Sequence, residues 1–362
     1  NTAFGHDALK ANTTGTANVA IGKSALEATV SGGYNTAIGL SALAANLAAD
    51  NTAVGYNTLV ANTTGTNNVA VGNNSLDANT TGGNNVAMGQ GSLSANTTAD
   101  NNTAVGLNAL TANTTGTQNT FIGGLAGDAN TTASNNTAVG YNSLTANTTG
   151  TDNVAIGRAS LQANTTASEN TAVGQGSLEA NTTGADNTAV GHAALGSNTT
   201  ADNNTAIGFN ALASQTGVSG TVGNVAIGAL CGDAVTTGIK NTFIGTGAGG
   251  TTTDVDNSVI IGYDAGAANM TSAADGTVAI GYQALYDIET GDSNTAVGDH
   301  AGEAVTTGSQ NVLLGRYAGD DVTTESQMLY IGYQATASDG TFIKGDMANR
   351  HLAIGMADDH FV

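Results

Sequence analysis

The chain has 362 residues, with 28 acidic residues against 7 basic ones and a formal net charge of −21. That balance argues against nucleic-acid binding and against attraction to anionic membranes, and no apolar run reaches the ~20 residues of a membrane span. Leu, Ile, Val and Phe make up only 67 residues, a content at which many chains stay disordered.

Disorder is excluded by register. From the first residues onward the phrase Asn-(Thr/Val)-Ala-(Val/Ile)-Gly recurs, with its glycine at Gly5, Gly22, Gly39, Gly55 and so on to Gly332. There are 20 such glycines, and 16 of the 19 spacings are 17 residues; the others are 16, 20 and 19. A fixed period this short means one small unit stacked on itself. Positions are numbered below from this glycine as zero. Position −1 is always apolar, −2 is nearly always Ala, −3 is mostly Thr or Val, and Asn holds −4 in 17 copies. Position +4 is Leu in most early copies, such as Leu26, Leu93 and Leu144, and Ala-Asn-Thr-Thr-Gly follows as a turn composition.

The β-branched, Asn and Gly content opposes a helix, and no 3.6-residue period survives. The expectation is therefore an all-β protein, a β-solenoid or β-roll of about 20 stacked coils, each with two short strands and two turns. The first strand looks dry on both faces, Val/Ile on one and Ala with Gly on the other. A strand buried on both sides needs two partners. A coil with so few large side chains makes a thin core, so the Ala/Gly face is expected to meet parallel copies in a homo-oligomer. Asn at −4 reads equally as a hydrogen-bonded ladder or as a turn residue.

Along the chain, residues 1–214 carry the Leu and Asn-Thr-Thr flavour. Residues 215–335 usually place Gly at +4, as at Gly232, Gly249, Gly266, Gly302 and Gly319, with Gly127 an early instance. The longer spacings place loop bulges between Phe209 and Gly223 and between Tyr263 and Gly276. Residues 336–362 read as a terminal transition or cap, with strands in Thr341-Phe-Ile-Lys-Gly-Asp and His351-Leu-Ala-Ile-Gly. The chain opens inside a repeat at Asn1, as a piece of something longer would.

Position +1 varies most and marks an outward row. Tyr56, Tyr141, Arg158, His192, Phe209 and Arg316 on it are candidate surface contacts, for sugars if for anything. The histidines His6, His192, His300, His351 and His360 read as exposed polar residues, since a zinc site needs three or four converging ligands. Asp254, Asp256, Asp320 and Asp321 read as solvated surface. No Ser-His-Asp grouping, phosphate-binding loop or carboxylate pair stands out, so no enzyme activity, metal or cofactor is expected. Asn-Thr-Thr recurs ten times, from Asn12 to Asn198; each is formally a glycosylation acceptor but reads better as turn chemistry. Cys231 rules out an internal disulfide and reads as a small buried residue.

The string N-T-A-V-G-Y-N-x-L-x-A-N-T-T-G resembles the repeats of long bacteriophage fibre proteins. More loosely it is similar to the head repeats of trimeric autotransporter adhesins, whose N-S-V-A-I-G phrase fills a shorter period. Leu329-Tyr-Ile-Gly through Phe342-Ile-Lys-Gly-Asp to Leu352-Ala-Ile-Gly looks like the passage that precedes the chaperone autoprotease of tail fibres, although no such domain lies within these 362 residues. The resemblance implies a homotrimeric tail-fibre shaft on the virion, joined to other tail or baseplate proteins and touching host surface polysaccharide. The alternative is an adhesin head on a bacterial surface. An ice-binding solenoid is a remote third reading.

Overall fold

Three residues of each coil, −3 to −1, are rich in Thr, Val and Ile and bounded by Asn and Gly, a composition that favours a short strand. In the computed structural model, which describes residues 1–216, 219–334, 343–349 and 351–354, these residues form strands throughout. The protein is an all-β parallel solenoid of about 19 turns, near 17 residues each. It divides into two compact units, Asn1–Thr183 and Gly184–Val362.

In the first unit eleven three-residue strands, Thr2–Phe4 to Thr171–Val173, pair in parallel with each position on its equivalent. Ala138, Ala155 and Ala172 stand opposite one another, for example. In the second unit the parallel series runs from Thr188–Val190 to Met328–Ile331. It ends in two antiparallel pairings, Met328–Ile331 with Ile343–Asp346 and Ile343–Asp346 with His351–Ile354. Strands thus occupy part of the segment expected to be a cap; residues 336–342, 350 and 355–362 of it lie outside the described residues. Tyr330 is buried there, and burial, followed by the charges of Asp321, Glu325 and Asp346, pushes its phenol up to about 12.

The expected second strand is not one. Positions +2 and +4 both adopt left-handed backbone, as at Asn108 (φ 52°) and Leu110 (φ 55°), so the segment cannot extend. It still bonds from coil to coil, with Leu93 N–H donating to the Ala109 carbonyl at 3.1 Å and Ala95 N–H to the Thr111 carbonyl at 3.0 Å. A leucine in this conformation costs roughly 1–2 kcal/mol. Burial offsets it, because Leu110 and its equivalents are completely enclosed and a fully buried leucine contributes about 1.5–3 kcal/mol.

The strand faces are also assigned differently from expectation. Beyond the first coil, Ala at −2 points into its own coil and is fully buried, while −3 is half-buried and −1 is exposed in some coils and half-buried in others. The Ala row is therefore core, and the aliphatic −1 row faces outward. Gly at zero has φ near 140°, and a Cβ on Gly106 would stand 2.4 Å from the carbonyl oxygen of Gly123 above it. Backbone rests on backbone at this corner, so no other residue fits.

Two asparagine ladders line the interior. At −4, the Oδ1 of Asn85 accepts the Asn102 N–H (3.0 Å), and the Asn102 Nδ2 donates to the Gly116 carbonyl (2.9 Å), closing its own coil. The ladder reading of −4 holds. The second ladder, at +7, uses the first residue of Asn-Thr-Thr. Asn113 Nδ2 donates to Asn96 Oδ1 (3.1 Å), and Asn130 Nδ2 donates to Asn113 Oδ1 (3.0 Å). Nine of the ten acceptor-motif asparagines, all but Asn12, are thus completely buried.

The two repeat flavours solve one packing problem. Where +4 is Leu, −2 is usually Ala. Where +4 is Gly, a large residue from −2 of the same or next coil occupies the space: Phe121 beside Gly127, Phe243 beside Gly232 and Gly249, Ile260 beside Gly266, Leu313 beside Gly302 and Gly319. The longer spacings hold local additions, as expected. Ala201–Asp202 pairs in parallel with Gly220–Thr221, and Ser272–Ala274 form one 3-10 turn capped by the Thr271 hydroxyl.

Gly127→Leu is expected to destabilise by about 3 kcal/mol, since its Cβ would meet Phe121 Cε1 at 2.0 Å. Adding Phe121→Ala should restore the midpoint of chemical denaturation to within about 1 kcal/mol, because it recreates the Ala/Leu pair; losses that simply add would contradict the exchange. Asn113→Ala is expected to cost about 2–3 kcal/mol by orphaning buried amide groups, whereas Asn12→Ala in the half-exposed first coil should leave the midpoint nearly unchanged.

Candidate functional surface

Inward positions are spent on packing and ladders, so any function must use outward side chains. The parallel strands give two outward rows. The first is the strand face, with Thr or Val at −3 and an aliphatic residue at −1. Ile21, Ile38, Val71, Met88, Ile122 and Ile156 in the first unit are 37–40% exposed, and Ile207, Ile227 and Val297 in the second are 38–39% exposed.

The second is the +1 row. Tyr56, Tyr141, Arg158, His192, Phe209 and Arg316 are all exposed, but they do not converge. Tyr56 stands several coils from Tyr141 and Arg158, which are on adjacent coils. In the second unit His192 stacks on Phe209, with ring centroids 5.5 Å apart. The Arg316 guanidinium lies 4.6 Å from the centre of the Tyr317 ring and 5.9 Å from that of Tyr333.

The sequence reading missed the largest cluster. Tyr263, Tyr282, His300 and Tyr317 form a continuous stack over four coils, with centroid distances of 5.5, 5.0 and 4.8 Å. His300 is not an exposed polar residue. Its side chain is 18% exposed, with Nδ1 on the Asp299 carboxylate and Nε2 3.9 Å from Glu303. Asp299 also faces the Arg316 Nε at 3.4 Å. Tyr263 and Tyr282 stand at +1 and His300 and Tyr317 at +2, so no single phase of the repeat reveals them.

Other candidates are accounted for by the stack. Asp254 accepts the Ser272 N–H (3.0 Å) and Asp256 accepts the Ile239 N–H (2.8 Å). Burial, then the neighbouring Asp321 charge, pushes the Asp320 carboxyl upward. Among the described residues no group of three or more His, Cys, Asp or Glu is placed to hold a metal ion, and no helix is long and apolar enough to cross a membrane. A polar depression lined by Asn74, Asp77, Gln90, Ser94, Asn108 and Thr111 marks the first unit, where burial raises the Asp77 carboxyl. Comparison with family models and with curated proteins gives no match.

Cys231 is fully buried, and burial pushes its thiol up to about 12. A neutral, enclosed thiol is a poor nucleophile. Iodoacetamide at pH 8 is expected to label it only after denaturation; prompt labelling of the folded chain would contradict this placement.

Proposed function

We propose that this chain is a structural shaft, a parallel homotrimer whose copies join through the outward strand face and which holds other parts of a fibre at a distance. One observation carries the reading: the in-register aliphatic row at −1. In the first unit Phe4 and six further −1 side chains are exposed, the six at 37–40%, and the other four are half-buried, an aligned apolar row of the kind that marks a contact surface. The row has the repeat of the stack itself, so a second copy meets it residue for residue. The irregular spacings of 16, 20 and 19 residues align between copies only when the chains run parallel and in register. The trimeric count and the placement on a virion tail fibre come from the resemblance of the repeat, as do the partners at either end, other tail or baseplate proteins and host surface polysaccharide. A bacterial adhesin head would use the same surface.

The mechanism is mechanical. Within each unit the coils are hydrogen-bonded one to the next, so each stack resists bending, and several fibres on one particle turn weak contacts into avidity. The threonines at +8 support stacking rather than ice binding, because their hydroxyls donate to carbonyls of the next coil, as from Thr63 to Thr80 at 2.9 Å.

Light scattering of the full chain is expected to give three times the mass of one chain. Ile122→Lys with Ile156→Lys should leave the β-type circular dichroism intact and abolish association, since both side chains lie outside the coil core. A wild-type chain that is folded and monomeric would overturn the assembly. Antibody labelling of bacterial cells but not of virions would move the chain to the adhesin alternative.

A further inference from the structure

The aromatic stack in the second unit is built differently from the rest of the outward row. In the first unit, aromatic residues at +1 stand alone, as Tyr56 and Tyr141 do, and +2 holds mostly Asn, Ser, Gly or Ala. Near the end of the second unit, consecutive coils place Tyr263, Tyr282, His300, Tyr317 and Tyr333 together. Two of them, His300 (φ 56°) and Tyr317 (φ 57°), occupy the left-handed +2 position. Histidine tolerates that region, but the bulky Tyr317 ring is unfavourable there and is not enclosed in the core in return. Tyr263, Tyr282 and Tyr333 remain 51, 46 and 60% exposed.

We infer that this ladder, Tyr263 to Tyr333 with Asp299, Glu303 and Arg316, is a binding strip for an uncharged, hydroxyl-rich polysaccharide lying along the stack. Tyr263 stacks on Tyr282 and His300 on Tyr317, while Tyr282 and His300 meet at a tilt of 52°, so the strip offers ring edges, phenol hydroxyls and a partly open face along its length. Carboxylates, a guanidinium and an imidazole interleave with the rings, supplying the acceptors and donors that sugar hydroxyls need. Stacked coils repeat every ~4.8 Å, close to the length of one sugar ring in an extended chain, so one polymer can repeat its contact from coil to coil. Charge sets the class. Arg316 is already paired with Asp299, and Asp299 and Glu303 beside His300, in a chain of net charge −21, disfavour uronate or sulfate polymers. A protein partner would need a broader dry patch than this narrow ridge with charged edges.

The inference rests on the display role proposed above, and the two fail separately, because loss of glycan binding leaves the trimer mass unchanged. The test is affinity electrophoresis of the full chain through gels containing soluble mannan, xylan or hydroxyethyl cellulose, with alginate as the acidic control. At least one neutral polymer is expected to retard the chain and alginate is not. Tyr282→Ala with Tyr317→Ala should weaken retardation about tenfold, the loss of roughly 1.4 kcal/mol. Tyr56→Ala with Tyr141→Ala should not change it. Tyr333→Ala, one repeat beyond Arg316 and 60% exposed, should weaken it even if the double variant folds poorly. Retardation by no neutral polymer, stronger retardation by alginate, or equal retardation of wild type and both ladder variants would overturn the assignment.

Discussion

Within each unit the backbone at the repeat glycine of one coil lies directly on the backbone of the next, with no space for a Cβ between them, as at Gly106 and Gly281. The rest of the architecture follows from this contact. It fixes the rise at the spacing of hydrogen-bonded strands, forces each coil to superimpose on its neighbour, and makes the period nearly invariant. An insertion is tolerated only where it leaves the ring of contacts as a bulge, as it does before Val225–Ile227 and Val278–Ile280.

With the coil so tightly set, the interior holds little volume and fills it in two ways. Ala opposite Leu is one, and Phe, Ile or Leu opposite Gly is the other. Asparagine does the remaining work. Its amide donates and accepts, so one side chain per coil satisfies both the coil below and the turn beside it. An apolar residue at these places would leave buried peptide groups unpaired, at about 1–3 kcal/mol each. A protein with so little Leu, Ile, Val and Phe is ordered because its polar interior is hydrogen-bonded rung by rung.

A core that small leaves aliphatic side chains outside. The −1 row is apolar because a strand flanked by Ala and Gly gains its cohesion from branched neighbours on the same face, and this row is the face proposed for assembly. The aromatic ladder is a separate outward feature, confined to a few coils and unfavourable in its local backbone. These two surfaces divide the proposed roles, one for assembly and the other for contact.

By itself the sequence determined the stacked all-β coil and its period. Periodicity carries that information, because in a stack every equivalent position meets the same neighbours. Only the tertiary structure decided which strand face turns inward. Alternation separates −2 from −1 and −3 without saying which side is the core, and a row of alanines suits a coil interior as well as a contact between chains. The left-handed backbone at +2 and +4, which turns the expected second strand into a bend, was likewise hidden, since leucine does not advertise that conformation. The aromatic stack was hidden too. Tyr282 and His300 stand at different phases of the repeat, and only the folded coil brings their rings together.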